Sequence, residues 1–179
     1  KVKKKYIKVN EDKSKFFKEK LKDLEYEKIV GISWKSSTKI DKGINFSLER
    51  FLLGIYSPKI KFLSLQYGDV EKEINQLRKN QGIKIEKINE VNLFNDIEGL
   101  ASLIAACDEV VSIDNLTLHL AGAIGIKTNI LLSKKSHWYH GLDDKKSYWY
   151  PTVSFFRQKN INEWDEPLEE IKDEIKIKN

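Results

Sequence analysis

The 179-residue chain has one cysteine, Cys107, and only three arginines and three histidines. A lone cysteine forbids an intrachain disulfide, which excludes a small secreted scaffold stapled by disulfides. One Cys with His119, His137 and His140 is also a poor ligand set for structural zinc. No apolar run approaches the roughly 18–20 residues of a membrane-spanning helix, so no integral membrane segment is expected. The motifs G-x-x-x-x-G-K-[ST] and G-x-G-x-x-G are both missing. Their absence argues against a P-loop protein and against a dinucleotide dehydrogenase. Arg50, Arg78 and Arg157 stand against 29 lysines, for a net charge of +5. Nucleic-acid surfaces lean on the bidentate fork of Arg, so the lysine excess reads as a solvated face and no nucleic-acid partner is expected.

What is present suits one globular domain. The hydrophobic fraction is 40% and the aromatic fraction 11%, enough to enclose a core at this length. The chain opens on Lys1 rather than Met, as a fragment or processed chain does, and Lys1–Lys5 lacks the apolar centre of a signal peptide. A cytoplasmic location is the expectation.

Two parts are expected, a lysine-rich helical segment over 1–27 and a single domain over 28–179. In the first, Phe16, Phe17, Leu21 and Leu24 recur at helical spacing, as on a helix docked by one stripe. Beyond it, strands and helices alternate. Lys28–Trp34 reads as a buried strand. Ser47 caps a helix whose face is Leu48, Phe51, Leu52 and Ile55, and Pro58 ends it. A strand over 61–66, a polar helix over 69–80 and a short strand over 83–88 follow. Asp96 caps a helix through Cys107 with the face Ile97, Leu100, Leu103 and Ile104. Glu109–Ile113 is a strand, Leu116–Ile124 a helix and Lys127–Leu132 a strand. Val153–Phe156 reads as a sixth strand, and 163–176 as a closing helix with Trp164, Leu168, Ile171 and Ile175 inward. This alternation predicts an α/β, doubly wound, mostly parallel sheet of about six strands with helices on both faces, Rossmann-like in outline.

Such sheets bind ligands beyond the carboxyl ends of their strands. After the first strand stand Lys35 and Ser36, then Ser37 and Thr38, an ammonium and hydroxyls suited to phosphate oxygens. After the second stand Gln66, Tyr67, Gly68 and Asp69; the glycine suits a tight turn, the aspartate a cap, and the first two a base or sugar. The fourth strand ends in Asp114 and Asn115, where a helix begins whose free amides and dipole favour an anion. His119 lies within its first two turns, and Gly122, flanked by Ala121 and Ala123, suits a close approach of helix to sheet. Each residue also has a plain structural reading: Lys35 as a solvated loop lysine, Asp114 as a cap, His119 as a contact on a half-buried helix.

The run Asp114-Asn115-Leu-Thr-Leu-His119-Leu-Ala-Gly-Ala-Ile-Gly125 resembles the D-[NST]-x-x-x-H-L-A-[GA]-A-x-G signature of family 9 glycosyltransferases, the heptosyltransferase group. Gly31–Lys35, Leu63–Gly68, Trp149–Pro151, Phe156–Gln158 and Trp164 match in order and spacing. The resemblance covers most of 28–175 and is strongest to C-terminal halves often fused behind tetratricopeptide repeats.

That resemblance implies the donor-binding half of a GT-B enzyme, an inverting transferase that uses a nucleoside-diphosphate sugar without metal or other cofactor. It implies that Lys35 and Ser36 hold the diphosphate and that Gln66 and Tyr67 lie along the nucleotide. Asp114, Asn115 and His119 would cradle phosphate and donor sugar. The catalytic base would come from a missing N-terminal acceptor domain, so this chain alone is expected to be inactive. Lys39 and Lys42 stand in for a more basic first loop. The aromatic stretch Lys134–Tyr150 would stack on a sugar or base, meet the missing domain, or fold back through Trp149 and Tyr150. His137 and His140 with Asp143 and Asp144 imitate a metal site, which a loop does not preorganise. A non-catalytic interaction module of the same fold, and a nucleotide-sugar epimerase, are the alternatives.

Overall fold

A computed structural model describes residues 5–22, 25–36, 47–142 and 144–176. Leu24, the loop residues Ser37, Thr38, Lys39, Lys42 and Gly43, and Asp143 lie outside them. The elements in chain order are α1 (Glu11–Leu21), β1 (Lys28–Ser33), α2 (Leu48–Ile55), β2 (Ile60–Ser64), α3 (Glu71–Gln81), β3 (Ile85–Glu86), α4 (Ile97–Ala105), β4 (Glu109–Ile113), α5 (Leu116–Ile124), β5 (Lys127–Leu132), β6 (Val153–Arg157) and α6 (Asp165–Ile175).

All six strands are parallel, in the order β3-β2-β1-β4-β5-β6. Alternation along the strands divides the core into two layers, as the two-residue period of a strand requires. Val30, Ile32, Val111 and Ile113 point to the face covered by α2, α3 and α6. Val110, Leu63 and Leu65 point to the face covered by α1, α4 and α5. The faces read from sequence for α2 and α6 are buried there in full. On α4 the expectation fails at one position. Ile97 is exposed, because it is the first residue after the Asp96 cap and the stripe begins at Leu100. In α1, Phe17 and Leu21 are buried against the α4 side while Phe16 stays exposed. β3 shrinks to two residues, as an edge strand paired on one side does.

The opposite ends of the sheet have different chemistry. At the amino end, the buried Glu109 carboxylate meets the Lys28 ammonium, Lys127 Nζ at 2.9 Å and Asn129 Nδ2 at 2.6 Å. That closed set ties β1, β4 and β5 together. At the carboxyl end, β1 and β4 are neighbours whose connections leave in opposite directions, β1 toward β2 and β4 toward β5. A crevice opens where the strand order reverses. Among the described residues, no helix is long and apolar enough to cross a membrane.

Candidate functional site

The crevice is built by amide side chains. Gln66 is buried, and its Oε1 accepts from the backbone N–H of Trp34 (2.9 Å) and Lys35 (2.8 Å) and from Ser33 Oγ (3.2 Å). Its Nε2 donates to Tyr67 O. Gln66 therefore fixes the chain as it leaves β1, and its polar atoms are engaged within the protein. Asn115 is the matching device on β4. Its Oδ1 accepts from Thr117 N–H at 2.9 Å and from Ser112 Oγ, capping α5. Its Nδ2 donates to Ser33 Oγ at 2.9 Å and to Lys35 O at 3.2 Å. One side chain thus holds the start of α5 against the exit of β1.

A cavity of about 410 Å³ opens beside this junction. Ser36, Asp114, Asn115 and His119 line it, with Tyr67 and Phe94 forming an aromatic pair at 6.0 Å on one flank. His137 and Tyr139, stacked at 5.1 Å with ring planes 9° apart, form another. Lys35 does not line it. Its ammonium is paired with Glu73 of α3, whose other oxygen accepts from Trp34 Nε1 at 3.0 Å. Of the residues proposed from sequence, Ser36, Tyr67, Asp114, Asn115 and His119 come together at the cavity, and Gln66 and Lys35 face their own partners.

Asp114 is the electrostatic centre. Its side chain is 6% exposed, with Oδ1 3.1 Å from His140 Nε2 and Oδ2 3.9 Å from His137 Nε2. Burial opposes its charge. The His140 contact and the neighbouring His140, His137 and His119 outweigh burial and hold the carboxyl below its ordinary range. His119 shifts downward chiefly through burial, with Asp114 opposing and the other two imidazoles adding to the fall.

His137 and His140 reach Asp114 because the β5–β6 connection folds over the end of the sheet. Arg157 at the end of β6 donates to His140 O (2.7 Å) and Gly141 O (3.0 Å), fixing that turn. Gly141 has φ 69°, which glycine adopts without strain. Tyr150 folds back toward the core while Trp138 and Trp149 stay exposed, Trp149 donating from Nε1 to Tyr139 O. Gly122 serves that fold-back and not the approach of α5 to the sheet. A Cβ on Gly122 would lie 2.5 Å from Tyr150 Cγ, so the missing side chain makes room for the ring. The loop's imidazoles and aromatics were visible in the sequence, but their convergence on Asp114 is set by the path of the connection. Glu73, the partner of Lys35, carried no sequence signal. Among the described residues, no group of three or more His, Cys, Asp or Glu is arranged to hold a metal ion.

A six-stranded parallel sheet with the order 3-2-1-4-5-6 and a polar cavity at its switch point define a Rossmann-like domain. Two solved structures share its fold. One is a glycosyl transferase family 9 protein from Veillonella parvula, with TM-score 0.60 and 12% identity over 86% of this chain and 42% of that one. The other is the ADP-heptose lipopolysaccharide heptosyltransferase II of E. coli, with TM-score 0.61 and 12% identity over 92% of this chain and 50% of that one. The chain thus has the fold of one Rossmann-like half of a GT-B glycosyltransferase. It is also 32% identical over 138 residues to Protein FlbA of Caulobacter vibrioides, covering 76% of this chain and 23% of FlbA. The chain therefore spans about a quarter of that curated relative and half or less of the two structures. No family model matches it.

Proposed function

We propose that the chain is the donor-binding half of a metal-independent, inverting glycosyltransferase that uses a nucleoside-diphosphate sugar. The observation that carries the reading is the meeting of the α5 N-terminus, Asp114 and His119 at the switch-point cavity of this fold. A diphosphate gains negative charge as it leaves the sugar, and fixed amides with an imidazole donor stabilise that charge without reorganising. The α5 amides and His119 take the phosphates, with Ser36 Oγ alongside. Asp114 accepts from a sugar hydroxyl, and the Tyr67–Phe94 flank receives the base. Lys35 joins the diphosphate only by leaving Glu73. The base that deprotonates the acceptor belongs to an N-terminal acceptor domain of the whole protein, so the chain alone transfers no sugar.

One observation favours the second reading, a non-catalytic interaction module. Among the described residues, no Lys or Arg lines the cavity, and Lys35 is neutralised by its ion pair. Calorimetric titration with ADP, UDP and GDP separates the two. The donor-site reading expects saturable binding of one nucleotide, insensitive to chelator and weakened at least about tenfold by His119→Ala, the cost of a charge-assisted hydrogen bond. A folded chain that binds none of the three contradicts that reading and supports the interaction module.

A further inference from the structure

We propose that Tyr150 is a positioning residue that fixes His119 as its neutral Nε2–H tautomer, and that the N-terminal strap, through Tyr6, holds Tyr150 in place. The His119 ring lines the cavity, and its Nδ1 lies 3.3 Å from Tyr150 Oη. A phenol is a good donor, and the bare nitrogen of a neutral imidazole is a good acceptor. Tyr150 Oη has no other hydrogen-bond partner among the described residues. Donating to Nδ1 pairs its O–H within the protein, whereas accepting from Nδ1–H leaves that hydrogen without a protein acceptor among the described residues. With Nδ1 as acceptor, the ring proton sits on Nε2. Asp114, His137 and His140 bear on the same ring through their charges, and Tyr139 lies against it at 6.1 Å. Burial outweighs Asp114 there and favours the neutral ring.

Tyr150 is held on several sides. Gly122 lies beneath its ring with no room for a Cβ. Ser147 Oγ accepts from its backbone N–H at 3.2 Å. The Tyr6 ring meets it edge-on at 6.0 Å, with planes 88° apart. Tyr6 is itself anchored at both ends. Its hydroxyl donates to Trp149 O at 2.9 Å, and the N–H groups of Tyr6 and Ile7 both donate to Ala123 O at the end of α5. A segment outside the sheet is thereby two ring contacts away from the cavity imidazole, running from Tyr6 to Tyr150 to His119.

On the donor-site reading, the fixed Nε2–H is what His119 offers to a phosphate oxygen. The tautomer itself is read without any ligand, so the two claims are tested separately. Long-range ¹H–¹⁵N spectra of the imidazoles in the ligand-free chain are expected to give one Nε2–H pattern for His119. Tyr150→Phe removes only a hydroxyl and is expected to fold; it should yield a mixture of tautomers and move the His119 titration. Tyr6→Ala should shift both in the same direction by a smaller amount. Nδ1–H as the wild-type tautomer, or an unchanged His119 spectrum in Tyr150→Phe, overturns the proposal. In the ligand arm, Tyr150→Phe is expected to weaken binding of the preferred nucleoside diphosphate about three- to tenfold. A changed tautomer with unchanged affinity leaves the positioning role standing and removes His119 from the phosphate contacts.

Discussion

Gln66→Leu is expected to destabilise the chain by about 2–4 kcal/mol, because two backbone N–H groups at the exit of β1 lose their shared acceptor in a buried setting. Leucine matches the volume but offers no oxygen to Trp34, Lys35 or Ser33. In a domain of this size that loss lowers Tm by roughly 5–15 °C. Denaturant unfolding of the variant beside the wild type measures it. A change within about 0.5 kcal/mol contradicts the assignment of Gln66 as the clamp of this junction. Nucleotide binding should fall with stability, because Ser33 and Lys35, freed by the change, are the groups that Asn115 grips.

Asp114→Asn is the second large effect, and its sign follows from two depressed titrations. The Asp114 carboxyl titrates lower when folded than its ordinary 3.8. Its stabilising contribution is complete above that unfolded value and disappears as pH falls through the folded one. His119 titrates lower when folded than its ordinary 6.5, so the folded state resists its protonation. Stability linked to it is complete above 6.5 and is lost as pH falls toward the folded value. Both contributions make the wild type weaken in acid, starting below about pH 6.5. Asparagine removes the buried carboxylate charge that lies 3.1 Å from His140 Nε2, a loss of about 1–3 kcal/mol at neutral pH. It also removes the negative charge that raises His119, so the His119 midpoint should drop further. Unfolding between pH 3 and 8, with imidazole titration by NMR, checks both parts. A His119 midpoint that rises in Asp114→Asn contradicts the electrostatic account.

The elements that carry the site were legible because local chemistry and tertiary packing agree there. Asn115 is a strong capping type standing two residues beyond the β-branched strand β4, where the next helix begins. The expected bounds of β4, α5 and β5 are accordingly those observed. Residue type says less about which way a side chain faces. Gln66 read as a ligand contact because it follows a strand, yet it turns inward to satisfy amides that no pattern announces. Lys35 read as a phosphate ligand from its place after β1, but Glu73 on α3 lies beside it only in the folded chain. The convergence of His137 and His140 on Asp114 depends on Arg157 gripping two carbonyls of an irregular connection, which has no period to read. The role of Tyr6 was hidden for a related reason. A strap held by backbone bonds to Ala123 leaves no mark in the hydrophobic spacing.

On the donor-site reading, the cavity at the start of α5 receives the diphosphate of a nucleotide. Amide ¹H–¹⁵N spectra of the chain, recorded during titration with ADP, UDP and GDP, test it most directly. Saturable shifts from one nucleotide are expected, centred on the amides of 115–119 and on residues 34–36 and 66–67, with Glu109 at the far end of the sheet unmoved. Shifts centred elsewhere, or none from a folded chain with any of the three, would contradict it.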